Sequence, residues 1–111
     1  MADITKADWK LFRERIGDWQ EAHMEKLNKE YVELLSGNGP ASKKFWNLKE
    51  RIDKDRRTPG VQLTLEKSEL DWDLVRLMKD GVITAEDLKG FSEELKKYVL
   101  ERTGYQFDKD K

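Results

Sequence analysis

The chain has no cysteine, one histidine and two prolines among 111 residues, and no apolar run of membrane-spanning length. Without cysteine there is no disulfide, no thiolate nucleophile and no cysteine-based zinc site, which excludes a disulfide-stapled secreted fold and favours a reducing, cytoplasmic setting. A bilayer-crossing helix needs about 20 apolar residues in succession. The opening Met1-Ala2-Asp3-Ile4-Thr5-Lys6 also lacks the apolar stretch of a signal peptide, so neither a membrane protein nor an exported one is expected. One imidazole and no thiol leave little from which to assemble a nucleophile or a metal shell. No phosphate loop, dinucleotide fingerprint, nucleophile elbow or His-Glu metalloprotease motif occurs. The expectation is a non-enzymatic protein without cofactor or metal. Catalysis by carboxylates alone is the remaining enzymatic route, and no acidic pair stands out from its neighbours.

What the chain does have is charge of both signs: 22 Lys and Arg against 23 Asp and Glu, 41% of all residues, cancelling to a net of −1. Four tryptophans within 10% aromatics separate it from disordered chains of similar polarity, so one folded helical domain over residues 1–111 is expected. Near-neutral charge gives no global attraction to nucleic acid or anionic lipid. Such binding would need a local patch.

Capping signatures and apolar periodicity predict an all-α fold of four helices, at about 5–35, 41–57, 69–80 and 85–103, with one short extended segment near 61–66. Thr5 with Asp8 opens the first, whose apolar face is Trp9, Phe12, Ile16, Trp19, Leu27, Tyr31, Leu34 and Leu35. That arc spans roughly 160°, wide enough to pack against several helices. Unbroken to Leu35 the helix is about 45 Å long, more than a compact domain with a radius of gyration near 13 Å covers easily. Either Gly17 bends it or one end packs on another chain. Ser36-Gly37-Asn38-Gly39-Pro40 makes the turn into the second helix, which shows a narrow stripe of Phe45, Leu48 and Ile52 and stops at Thr58-Pro59-Gly60. Val61, Leu63 and Leu65 alternate with polar residues, an arm to lie across helices or to pair with a second subunit. Ser68 with Asp71 and Thr84 with Asp87 cap the last two helices, an αα-hairpin turning at Asp80-Gly81. Tyr105-Gln106-Phe107 is placed to dock, and residues 108–111 to form a mobile tail.

Leu74-Val75-Arg76-Leu77-Met78-Lys79-Asp80-Gly81-Val82-Ile83-Thr84-Ala85-Glu86-Asp87-Leu88, within residues 70–96, resembles the short C-terminal helical hairpin that recurs in bacterial proteins. Over most of its length the chain also resembles uncharacterised small helical proteins of Firmicutes-type bacteria. That likeness rests on Asp8-Trp9-Lys10, Met24 to Tyr31, Leu34-Leu35-Ser36-Gly37, Phe45-Trp46, Pro59-Gly60-Val61, Asp80 to Thr84 and Phe91-Ser92. Some members carry a multidrug-transporter label, which a chain without a bilayer-length apolar run does not support. The resemblance implies a helical fold and no particular activity.

The functional reading that composition and periodicity favour is protein–protein interaction, with self-association as a homodimer through the long first helix. The residues it assigns to the partner are Trp9, Trp19, His23, Leu27 and Tyr31 on that helix, together with Trp72. His23 as a metal ligand would need carboxylate partners such as Glu30, whereas a histidine hydrogen-bonded beside a helix interface is the commoner arrangement. Trp72, opposite the Leu70, Leu74, Leu77 face, is either a partner anchor or a cover for another helix. The alternative reading is a nucleic-acid-binding accessory protein. The second helix and its end carry seven cations against three acids, and Lys43, Lys44, Lys49, Arg51 and Arg56 with Trp46 are the composition that phosphate contact and base stacking require. Ordinary surface ion pairing explains the same residues. Acids in the first turn of the fourth helix exclude it as a DNA-reading helix, and the spacing of Asp71, Asp73, Asp80, Glu86 and Asp87 lacks the pattern of a calcium loop.

Overall fold

A computed structural model describes residues 2–104, and the expectations for Tyr105 to Phe107 and for 108–111 lie outside them. Four α-helices follow in order: α1 Lys6–Ser36, α2 Ala41–Asp55, α3 Leu70–Lys79 and α4 Glu93–Arg102. No strand occurs among the described residues, and the fold is all-α as the periodicity requires. Residues 62–66 form no regular structure and lay Leu63 against the core.

The first cap forms as written in the sequence. Asp8 N–H donates to Thr5 Oγ1 at 2.9 Å, and Thr5 N–H donates back to the Asp8 carboxylate at 3.3 Å. From there α1 runs for 31 residues without interruption, through Gly17. Gly39, at φ 135°, reverses the chain, and Pro40 stands just before the first turn of α2, whose last turn Thr58 closes by donating to Asp55 O. That second helix ends two residues before the expected 57.

Two expected helix starts are corrected. Ser68 does not cap α3, because it sits inside a 3-10 turn, Lys67–Glu69, that runs straight into the helix. Asp71 is thereby released from a capping box and turns inward to accept from Ala2 N–H. The continuous helix expected over 85–103 is two pieces. Thr84 and Asp87 do form their capping box, but on a 3-10 turn, Ala85–Leu88. Gly90, at φ 98°, then breaks the chain, and Ser92 caps α4 by accepting from Leu95 N–H. The break redirects the backbone while Leu88 and Phe91 before the new cap, and Leu95 and Val99 after it, all remain buried.

The core is Phe12 and Ile16 of α1, Leu70, Leu74, Val75 and Leu77 of α3, Ile83, Leu88 and Phe91 of the connection, and Leu95 and Val99 of α4. All of it lies in the first half of α1 and in residues 70–99. Arg15 ties the two together by donating to Asp87 O and Lys89 O, and Ser92 does so by donating through both N–H and Oγ to Asp8 at 2.8 and 2.7 Å. The second half of α1 leaves this body and pairs with α2. The resulting molecule is drawn out to 51 × 36 × 20 Å with a radius of gyration of 16.8 Å. A compact chain of this length has about 13 Å.

Candidate interaction surface

Five of the six residues assigned to a partner are engaged within the chain. Trp9 stacks on Phe12 at 6.2 Å with Arg13 over its ring, and Trp19 meets the same Phe12 edge-on. His23 lies over Gly60, so close that a Cβ there would stand 2.5 Å from the imidazole Cδ2 and 2.6 Å from Val82. Leu27 is buried where α1 faces α2. Tyr31 donates its hydroxyl to Asp55 at 2.6 Å. Burial, then the hydrogen bond to that carboxylate, push its phenol up to about 12. Only Trp72 stands out from the surface, 47% exposed, with Leu65 also uncovered.

The basic set of α2 divides. Arg51 is held by Glu30 across the hairpin and by Asp55 at 2.9 Å, and its guanidinium lies over Tyr31. Lys49 and Arg56 share Asp53, at 2.6 and 3.4 Å, and the Lys49 hydrogen bond is the main cause that holds the Asp53 carboxyl below its usual range. Lys43 and Lys44 line the tip of the hairpin with Leu34, Asn38 and Pro40, within a turn of Trp46.

The surface that sequence reasoning missed is one side of this arm. At about 100° per residue, Met24, Asn28, Val32 and Leu35 of α1 fall within roughly 80° of one another, and so do Phe45, Leu48 and Ile52 of α2 with Arg56 at its C-terminal cap. The two arcs look the same way. A groove of about 300 Å³ between them is lined by Met24, Leu27, Asn28 and Tyr31 from α1 and by Ile52, Asp55 and Arg56 from α2, with Val61 closing its lower end. The opposite side is lined by the polar Asn47, Glu50, Arg51 and Lys54 around Leu34. On the apolar side Val32 is 61%, Phe45 62% and Trp46 59% exposed, Phe45 and Trp46 packing edge-to-face at 5.0 Å, while Leu35 and Ile52 are also uncovered. No residue of α2 is buried. Phe45 and Ile52 were legible as a stripe. That the stripe lies on the flank of the α1 contact rather than in it was not, because Arg51 and Asp55 take the contact side through ion pairing and hydrogen bonding rather than through apolar burial.

Two buried carboxylates complete the electrostatics, both in the body. Burial raises Asp8, but hydrogen bonds from Ser92 and Thr5 outweigh it and hold the carboxyl below its ordinary value. Asp73 is 3% exposed, its Oδ2 has no hydrogen-bond partner among the described residues, and its Oδ1 stands 3.5 Å from Arg76. Burial pushes it up to about 6, Arg76 opposes this, and Glu69, Asp71 and Glu66 add to it. Among the described residues no group of three or more His, Asp or Glu is placed to hold a metal ion, and no helix is long and apolar enough to cross a membrane. Comparison with known protein families, with curated proteins and with solved structures finds no match to this chain.

Proposed function

We propose that this is a non-enzymatic interaction protein of a reducing compartment, and that its docking element is the arm formed by the second half of α1 and by α2. The observation that carries the reading is a 15-residue helix with no buried residue that nonetheless presents Phe45, Trp46 and Ile52 to solvent. A helix stripe is ordinarily covered by a second layer, and clustered aromatics at the surface are the residues that anchor protein partners. The body, by contrast, has a closed apolar core and serves as the mount.

A photo-activated cross-linker placed in vivo at Phe45, with Lys89 on the body as control, tests the reading. Cross-links to protein from position 45 and not from 89 are expected. Their absence from position 45 overturns it. A second reading, nucleic-acid contact by the arm tip, is favoured by Lys43 and Lys44 beside the exposed Trp46. It predicts a gel shift of single- or double-stranded probes at about 50 mM salt that collapses as salt rises. It is weakened by the carboxylates that already hold Lys49, Arg51 and Arg56.

A further inference from the structure

The apolar side of the arm is a single layer, two helices wide, with its polar back turned to solvent. Val32, Leu35, Phe45 and Ile52 on the face, with Trp46 packed on Phe45 at its edge, leave on the order of 500 Å² of side-chain surface uncovered, within the range of the largest patch on a lone soluble chain. Two such faces laid together remove at most about 1,000 Å² from water before the flanking stems are counted, the size of a weak, reversible protein interface. The charge around the face is mixed. Glu21 and Glu25 border it on α1, and Lys49, Arg56 and Asp53 on α2, so it selects neither an acidic nor a basic partner and opposes no copy of itself.

The stripe on α2 is also self-complementary. Phe45 and Ile52 are seven residues apart, two turns on the same line, with Leu48 between them. A two-fold axis crossing α2 near Leu48 brings Phe45 of each copy onto Ile52 of the other and Leu48 beside its own counterpart, as an isologous contact requires. The same operation sends the two bodies to opposite ends, where they do not meet.

We propose that the occupant of this face is a second copy of the chain, the two arms stacking antiparallel into a four-helix bundle with Phe45 of one copy packed on Ile52 of the other. The inference rests on the docking reading above and names its partner. Bundles of two αα-hairpins bury their stripes in this way.

Sedimentation equilibrium of the full chain from about 1 to about 200 µM is expected to show a monomer–dimer equilibrium. Phe45→Glu and Ile52→Lys, each at an exposed position, are expected to raise its dissociation constant at least 30-fold while the helical circular dichroism is unchanged. Mixed in equal amounts, the two variants are expected to dimerise again. The carboxylate introduced at position 45 of one copy then faces the ammonium introduced at position 52 of the other, while the second Phe45–Ile52 contact stays native. A wild-type chain that remains monomeric at about 200 µM overturns the inference, as does a dimer indifferent to both substitutions or a mixture that stays monomeric. A monomer whose position 45 still cross-links to a different protein leaves the docking reading standing and removes only the second copy. A monomer without cross-links removes both.

Discussion

Single residues hold the joints of this molecule. Gly60 is demanded by proximity, since a methyl group there would penetrate both His23 and Val82. Gly60→Ala is expected to cost about 1–3 kcal/mol, the usual penalty for overpacking, read as a lower urea midpoint at unchanged slope. Asp8 serves two caps at once, its own helix through Thr5 and α4 through Ser92. Asp8→Ala strands the Ser92 N–H and is expected to destabilise by about 2 kcal/mol. Because its folded pKa lies below the ordinary 3.8, the ionised group stabilises the fold above that value, and the contribution is lost as pH falls below it. Asp73 behaves oppositely. Its folded pKa of about 6 stands above the unfolded value, so between about pH 4 and 6 the native state holds a proton that the unfolded chain has released. Stability attributable to it is full below about pH 4 and declines as pH rises to 6. Asp73→Asn is therefore expected to stabilise the protein at pH 7.5 by about 1–2 kcal/mol and to flatten the fall between pH 4 and 6 in thermal melts.

Among the elements, α1 and the turn after it were the most legible. Thr5, Asp8 and the Gly37 to Pro40 run are local signals whose chemistry acts within a few residues, and they act as written. The 61–66 segment was less so, since Val61 belongs to the turn after Pro59 and Leu65 is exposed, which leaves Leu63 alone packed on the core as the alternation implies. The two failures differ: Ser68 with Asp71 caps nothing, because Asp71 is drawn to Ala2 N–H, whereas Thr84 with Asp87 marks where a turn begins and says nothing about how far it continues. Thr84 with Asp87 opens one 3-10 turn only, because Gly90 takes a positive φ that L side chains rarely adopt, and it does so in close contact with Arg15 and Leu11. Gly90→Ala meets both obstacles and is expected to cost about 1–2 kcal/mol in chemical denaturation. The candidate surface was half visible. Phe45 and Ile52 announce a stripe, and their spacing fixes a line along the helix. Which way that line points depends on Arg51, Glu30, Asp55 and Tyr31 meeting across 20 or more residues, and no local pattern encodes it.

As a whole the molecule divides its stability unevenly. Every residue of the apolar core belongs to the first half of α1 or to residues 70–99, whereas the arm contributes Leu27 alone among buried apolar side chains. Opening the arm exposes little, so the amides of α2 are expected to exchange with deuterium well before those of α3 and α4 in dilute solution, where no second copy protects them. The long first helix joins these unequal parts without a break, which makes residue count a steering angle. Each amino acid inserted between Gln20 and Met24 would swing whatever lies beyond by about 100° and advance it about 1.5 Å. Two insertions would turn the greasy flank to nearly the reverse bearing, while seven would return it almost to its starting heading, about 10 Å farther out. The chain thus aims its contact flank by the phase of a single screw.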